Sequence, residues 1–396
     1  MRFFKDLSAS AFTAGFVAVL VGFTSSVAIV FQAALAFDAS PSEVASWMWA
    51  LGIGMGLCSL VPSLWLRKPV MVAWSTPGAA VLATAGLAGG FSMADAIGAF
   101  IACALLITLF GVTGWFEKIM NRVPMAICSA LLAGVLARFG LQAFVAAQTA
   151  LPLVLLMLAA YLLGKRWLPR YAVVLALLVG VTYAALRGQL LVSGVTWGLA
   201  VPVFTQPSFN WSAMVSLSIP LFVVTMASQN LPGVAAIKAA GYGGPQGIPV
   251  SKIITLTGLA MLVLAPFGAF ALNLSAITAA ICMGPEAHED PGKRYTAAVS
   301  CGAIYVLIGI FGVAITGVLS AFPKELVAAI AGLALLGTIA NGLASALQDD
   351  AHREAALITF LVTLSGIVIA GVGSAFWGVV AGGLALAVQQ YGRRVI

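Results

Sequence analysis

The stretch Val70-Met71-Val72-Ala73-Trp74-Ser75-Thr76-Pro77-Gly78-Ala79 decides how this chain is read. It lies inside an apolar segment of membrane length, yet its middle has the chemistry of a helix start. Thr76 before Pro77 reads as an N-cap followed by the helical position that welcomes proline, because the N–H missing there would be unpaired anyway. A helix that begins inside a bilayer leaves backbone N–H groups and a positive dipole end facing whatever lies ahead. In transporters that is often an anionic substrate. The competing reading is an ordinary helix kinked at Pro77.

The surrounding chain sets the class. Of its 396 residues 62% are hydrophobic and only 8% charged, against roughly 25% charged in soluble domains, so this reads as a polytopic membrane protein. The start, Met1-Arg2-Phe3-Phe4-Lys5-Asp6, is short, basic and amphipathic, without the small-residue pattern of a cleaved signal. Apolar runs fit spanning helices at about 11–34, 43–66, 70–88, 93–115, 123–146, 149–165, 170–187, 212–232, 250–265, 267–284, 295–320, 323–346, 354–371 and 374–391. The longest polar connection is 188–211. With both termini cytoplasmic, every Lys and Arg except Arg187, Lys324 and Arg138 falls at a terminus or in a cytoplasmic connection. That is the positive-inside pattern. The net charge of +7 therefore reports topology, and no nucleic-acid partner is expected. The five cysteines lie in apolar segments without C-x-x-C spacing and read as packing residues, with no metal site.

The two halves resemble each other. Phe110-Gly111-Val112 recurs as Phe311-Gly312-Val313, and Ala133-Gly134 after Pro124 recurs as Ala331-Gly332 after Pro323, in the same order and at nearly the same separation. Seven is odd, so two seven-span halves have opposite orientations, the inverted repeat that puts a transporter's site at the midplane. Gly52-Ile53-Gly54-Met55-Gly56 has no strand before it and reads as close helix packing, as do Gly378 and Gly382.

Carried forward by the repeat, the opening stretch lands on Ala271-Leu272-Asn273-Leu274-Ser275. Pro266 and Gly268 break the helix before it, and Asn273 or Ser275 can cap the helix after it. Seven extended residues at about 3.3 Å each reach roughly half of a core about 30 Å thick, so two helix starts entering from opposite sides would meet near the centre. The candidate substrate residues are accordingly Ser75, Thr76, Pro77 and Gly78 from one break and Asn273, Leu274 and Ser275 from the other. Span 8 adds its polar cluster Ser228, Gln229 and Asn230, which alternatively satisfies backbone opened by Pro232 or joins helices. Span 1 adds Ser25 and Ser26, which alternatively bond back to their own helix. Trp74, Phe222, Phe267 and Phe270 are candidates to face an aromatic ring. Arg138, the one charge well inside a span, either snorkels or attracts an anion. Every acidic residue lies in a connection or at a helix end, and no catalytic or metal constellation occurs, so no enzyme and no cofactor is expected.

At Ala73-Trp74-Ser75-Thr76-Pro77-Gly78-Ala79, Arg138-Phe139-Gly140-Leu141-Gln142-Ala143-Phe144, Val224-Thr225-Met226-Ala227-Ser228-Gln229-Asn230 and Gly373-Ser374-Ala375-Phe376-Trp377-Gly378 the chain resembles the benzoate/proton symporter (BenE) family, over essentially its whole length. That family is similar in fold to the uracil/xanthine permeases and the sulfate permease-type anion transporters. The resemblance implies an all-α polytopic fold of about fourteen transmembrane helices in a 7+7 inverted repeat, with half-helices 3 and 10 broken at the midplane. It implies a core domain (8–117 and 210–320) moving against a gate domain (118–190 and 321–391), in a homodimer or a monomer. The implied function is proton-coupled import of benzoate or a similar aromatic carboxylate across the bacterial inner membrane by alternating access. The alternative is an exchanger or permease for another organic or inorganic anion. One departure stands out: where nucleobase permeases carry acidic residues on spans 8 and 10, this chain has Gln229 and, at the second break, Asn273 and Ser275. A coupled proton would then travel on benzoate itself or on a helix-end group such as Glu286.

Overall fold

A computed structural model describes residues 2–24, 26–116, 124–168, 172–190, 198–244, 246–284, 287–312, 314, 322–369 and 374–390. Ser25, Glu117, Lys118, Arg122, Arg170, Glu286, Arg393 and Arg394 lie outside the described residues, as does the end of the eleventh apolar run.

Among the described residues, the regular structure is helical apart from one short two-stranded ribbon. In order come α1 (Arg2–Asp6), α2 (Ala9–Thr24), α3 (Val27–Leu35), α4 (Pro41–Leu66), β1 (Val72–Trp74), α5 (Thr76–Gly89) and α6 (Met93–Thr113). Then follow α7 (Met125–Val145), α8 (Ala147–Trp167), α9 (Ala172–Leu186) and a composite helix α10 over 211–239. The second half continues with α11 (Val250–Leu264), β2 (Leu272–Leu274), α12 (Ile277–Met283), α13 (Tyr295–Ile310), α14 (Lys324–Leu347), α15 (Arg353–Ser365) and α16 (Ser374–Gln390). Among the described residues, Pro41–Leu66, Met93–Thr113, Ala147–Trp167, Trp211–Asn230 and Val250–Phe267 are each long and apolar enough to cross a membrane.

Three local readings need correction. The first apolar run is not one helix: α2 ends at Thr24 and α3 starts at Val27. The N-cap of α5 is Ser75, not Thr76; its side chain accepts the Gly78 N–H, which moves Thr76 and Pro77 into the first turn. The eighth run is not a regular α-helix, because Met214–Ser218 and Met226–Asn230 are wound as π-helix. Such bulges are uncommon and occur most at functional sites.

The two halves pack in a crossed manner. The helix α13 lies along α4, and α11 along α6. A Cβ on Gly52 would sit 2.5 Å from the Cα of Gly309, so the glycine run in α4 serves close helix contact as its sequence indicates. Elsewhere α7 packs on α14 and α15, α8 on α9, and α15 on α16. The connection 198–210 is stitched down by backbone bonds from Ala200 to Ile310, Thr205 to Pro266 and Ser208 to Ala94. At the approach to β2, Gly268 has φ +102° and a Cβ there would meet the Trp47 ring at 1.9 Å. Only glycine fits that turn.

Candidate functional site

The ribbon is the organising feature. Strands β1 and β2 pair antiparallel with Val72 opposite Leu274, Ala73 opposite Asn273 and Trp74 opposite Leu272. The pairing continues one residue beyond each end: Ser75 N–H donates to Ala271 C=O at 2.8 Å and Ser275 N–H to Met71 C=O at 3.0 Å. Each strand therefore runs into the start of a helix, α5 from one and α12 from the other.

A two-stranded ribbon has two outer edges, and buried backbone groups left unpaired there are costly. Every outward N–H of this ribbon has an identified acceptor. On β1 the partners come from one face of α4: Ser63 Oγ accepts from Val70 N–H at 2.9 Å, Ser59 Oγ from Val72 N–H at 2.9 Å, and Met55 Sδ from Trp74 N–H at 3.0 Å. These residues are four apart, the spacing that aligns side chains along a helix. The two hydroxyls also donate to the carbonyls of Val70 and Val72. On β2, Met261 Sδ of α11 accepts from Leu272 N–H at 3.3 Å and Asn230 Oδ1 from Leu274 N–H at 2.9 Å. Sequence reasoning missed Met55, Ser59, Ser63 and Met261. Their only signal was the four-residue spacing in α4, which also suits plain packing.

The sequence-selected residues divide by what their side chains are already doing. Ser75 accepts from Gly78 N–H at 3.0 Å and from the Thr225 hydroxyl at 3.2 Å. Ser275 accepts from Thr278 N–H and from its hydroxyl, at 3.3 and 2.6 Å, but the N-cap of α12 is Ala276, without a side-chain capping bond, so neither Asn273 nor Ser275 holds the cap position expected of them. Asn230 is fully buried and uses both ends of its amide, Oδ1 on Leu274 and Nδ2 on Met226 Sδ at 3.2 Å. It holds the ribbon. Ser26 donates to Gly22 C=O and accepts from the Trp74 indole N–H at 2.8 Å, tying the α2–α3 break to the ribbon. Leu274 packs against Gly233 of α10.

Other groups stay available. Thr76, Ser228 and Gln229 are half-buried, and among the described residues their side chains make no hydrogen bond. In the first turn of α5, Pro77 has no N–H and Gly78 N–H is taken by Ser75, which leaves the Thr76 N–H as the donor at that helix start. Asn273 donates through Nδ2 to Leu274 C=O at 2.9 Å, while its buried Oδ1 has no partner among the described residues. The π-wound segment carrying Ser228 and Gln229 lies between β2 on one side and α7 on the other, and α7 also touches α5.

The structure does not bring Arg138 to this cluster by any contact it displays. Its guanidinium lies against Gly366, where a Cβ would meet Nη1 at 2.5 Å. Gly366 is the left-handed C-cap of α15, a place where a cation complements the helix dipole. The aromatic candidates are largely committed to packing. Phe270 interlocks with Trp47 and Phe100 at centroid distances of 5.9 and 6.1 Å, Phe222 stacks edge-on with Phe110 at 4.8 Å, and Phe267 meets Trp49 at 5.8 Å. Trp74 pairs with half-buried Phe23 at 5.5 Å, so Phe23 is the ring that sequence reading passed over. A cavity of about 330 Å³ is lined by Phe31 and Gln32 of α3, Lys324 of α14 and Phe322 just ahead of it, away from the ribbon.

Comparison with known proteins gives the family and the fold. The family model described as benzoate membrane transport protein, BenE, matches residues 5–388. The chain is 46% identical over 364 residues to the inner membrane protein YdcO of Escherichia coli (strain K12), covering 92% of each chain. It is 40% identical over 373 residues to the benzoate membrane transport protein of Acinetobacter baylyi, covering 94% of this chain and 93% of that one. In fold it matches the transmembrane domain of the cyanobacterial bicarbonate transporter BicA, with TM-score 0.59, 14% identity and 98% of both chains covered. It also matches SLC26A9, with TM-score 0.61, 13% identity, and 96% of this chain and 65% of that one covered. With the family model spanning nearly its whole length and a 40% identical relative that is a benzoate membrane transport protein, the chain belongs to the BenE family of benzoate membrane transport proteins and is not an enzyme.

Proposed function

We propose that this protein imports benzoate or a similar aromatic carboxylate across the bacterial inner membrane, together with a proton, by alternating access. The observation that carries the reading is the antiparallel ribbon feeding two helix starts, with the Thr76 N–H, Ser228 and Gln229 unengaged beside it. Hydroxyl, amide and N–H donors at a helix start suit the acceptor oxygens of a carboxyl group. Half-buried Phe23 against Trp74 offers apolar surface for a ring. The relative named for benzoate transport supports the substrate class.

The same reading takes the chain as fourteen spans in a 7+7 inverted repeat. In it β1–α5 and β2–α12 are the half-helices, and both termini are cytoplasmic. Its support is the crossed packing of α4 with α13 and of α6 with α11, the exchange that a two-fold relation between halves requires. Residues 8–117 and 210–320 form the core domain, which moves against a gate domain of 118–190 and 321–391. The gate helix α7, packed on α5 and on the π-wound segment, then closes one side of the site. Gate-domain contacts would also carry a homodimer.

Uptake of labelled benzoate into proteoliposomes tests this. Accumulation above equilibrium only under an inward-directed proton gradient is the expected result. Counterflow that ignores the gradient would replace symport with anion exchange, and no flux above protein-free vesicles would remove the transport assignment for benzoate.

A further inference from the structure

The acceptor left over in the ribbon bears on how the proton travels. Asn273 is fully buried, and its amide cannot turn over, because only an N–H can face the Leu274 carbonyl that Nδ2 meets at 2.9 Å. Oδ1 is thereby held as an acceptor without a donor. Its direction follows from the register. Asn273 stands opposite Ala73, and opposed residues in an antiparallel pair share a face. The other face carries Leu272 against Gly54, Leu274 against Gly233 and Trp74 against Phe23. Ala73 is the half-buried member of the ribbon, so Asn273 shares the face of the ribbon residue that is not fully buried, on a strand that packs against the π-wound segment carrying Ser228 and Gln229.

A carboxylate has only acceptors to present and is repelled by a fixed carbonyl oxygen. A carboxylic acid has one O–H to donate and one C=O to accept. From this mismatch we infer that Asn273 selects the protonated carboxyl, so that the coupling proton crosses the membrane on the substrate. Benzoate and a proton combine to benzoic acid, the acid O–H donates to Asn273 Oδ1, and the proton leaves with the acid's ionisation on the far side. This rests on the functional reading above and specifies the form of ligand taken by that site. Among the described residues, the elements packed on β2 bring these titratable groups: α4 has Glu43, bound in the capping box with Ser40, and the thiol Cys58. The helix α11 brings exposed Lys252 in its first turn, Lys238 lies near the far end of α10, and β1 has no titratable residue.

Competition against labelled benzoate bound to the purified full chain in nanodiscs, with protein-free nanodiscs as blank, separates the possibilities. Benzamide, uncharged and bearing an N–H donor, is expected to compete at least tenfold better than benzenesulfonate, an anion without a donor, and equally at all pH values. The apparent affinity for total benzoate should weaken about tenfold per pH unit above the acid's own pKa. Asn273→Ala should abolish the preference for benzamide over benzenesulfonate. Because the ligand series is read on the unmodified chain, a variant that fails to fold does not weaken the test. Benzenesulfonate competing as well as benzamide, or benzoate affinity independent of pH, would overturn the inference alone. No benzoate binding at any pH would overturn the functional reading and this inference with it.

Discussion

Removing one hydroxyl from α4 should loosen the ribbon. In Ser59→Ala the Val72 N–H loses an acceptor at 2.9 Å and the Val72 C=O a donor at 3.3 Å, in a place with no solvent exposure. Each buried backbone group stranded this way costs about 1–3 kcal/mol. The longer carbonyl bond contributes the smaller share, which gives roughly 2–4 kcal/mol for the pair, or on the order of 30- to 1,000-fold in the folding equilibrium. An unfolding entropy of ~2.1 cal/mol/K per residue over 396 residues makes that a fall in Tm of about 2–5 °C. The assay is thermal unfolding of the purified chain in one detergent, with Ser300→Ala as control. The Ser300 hydroxyl bonds Thr296 C=O in its own helix at 2.9 Å, so its loss strands no backbone N–H. Ser59→Ala should melt clearly below Ser300→Ala and carry benzoate more slowly. If the two variants melt together, the accounting of the ribbon's outer edge is wrong.

The neighbouring amides of α10 should behave oppositely. Gln229→Ala should weaken benzoate binding by about ten- to a hundredfold, the range for a hydrogen bond to a charged or strongly polar group, with Tm unchanged; calorimetric titration reads the first and thermal unfolding the second. Asn230→Leu should instead lower Tm by stranding the Leu274 N–H, and a normal melting temperature would show that this bond is dispensable. Gly268→Ala should fail to give a monodisperse protein on size-exclusion chromatography, since it combines a left-handed backbone with a clash against Trp47. Asp95→Asn should leave gradient-driven uptake intact, because the Asp95 carboxylate is held in the capping box of α6 by Ser92; loss of coupling would make Asp95 the proton carrier.

Local chemistry made much of this molecule readable from its residues. The low charge and the apolar run lengths define a membrane protein, since lipid admits few charges. The helix start at 75–78 was legible because Ser, Pro and Gly act on their own backbone within a few residues, whereas 273–275 proved to be the end of a strand, with the helix starting only at Ile277. The cap proved to be Ser75 instead of Thr76 because either hydroxyl can cap, and the choice depends on which backbone leaves the strand first. Tertiary structure alone decided the rest. Ser59, Ser63, Met55 and Met261 look like packing residues in their own helices, and their partners lie on strands that the linear pattern does not bring to them. The same limit applies to Gln229 and Asn230, adjacent amides of nearly equal chemistry. A π-wound turn aims Asn230 at an unpaired strand N–H and leaves Gln229 free, and only the position of the second strand distinguishes a residue that holds the site from one that can bind a ligand.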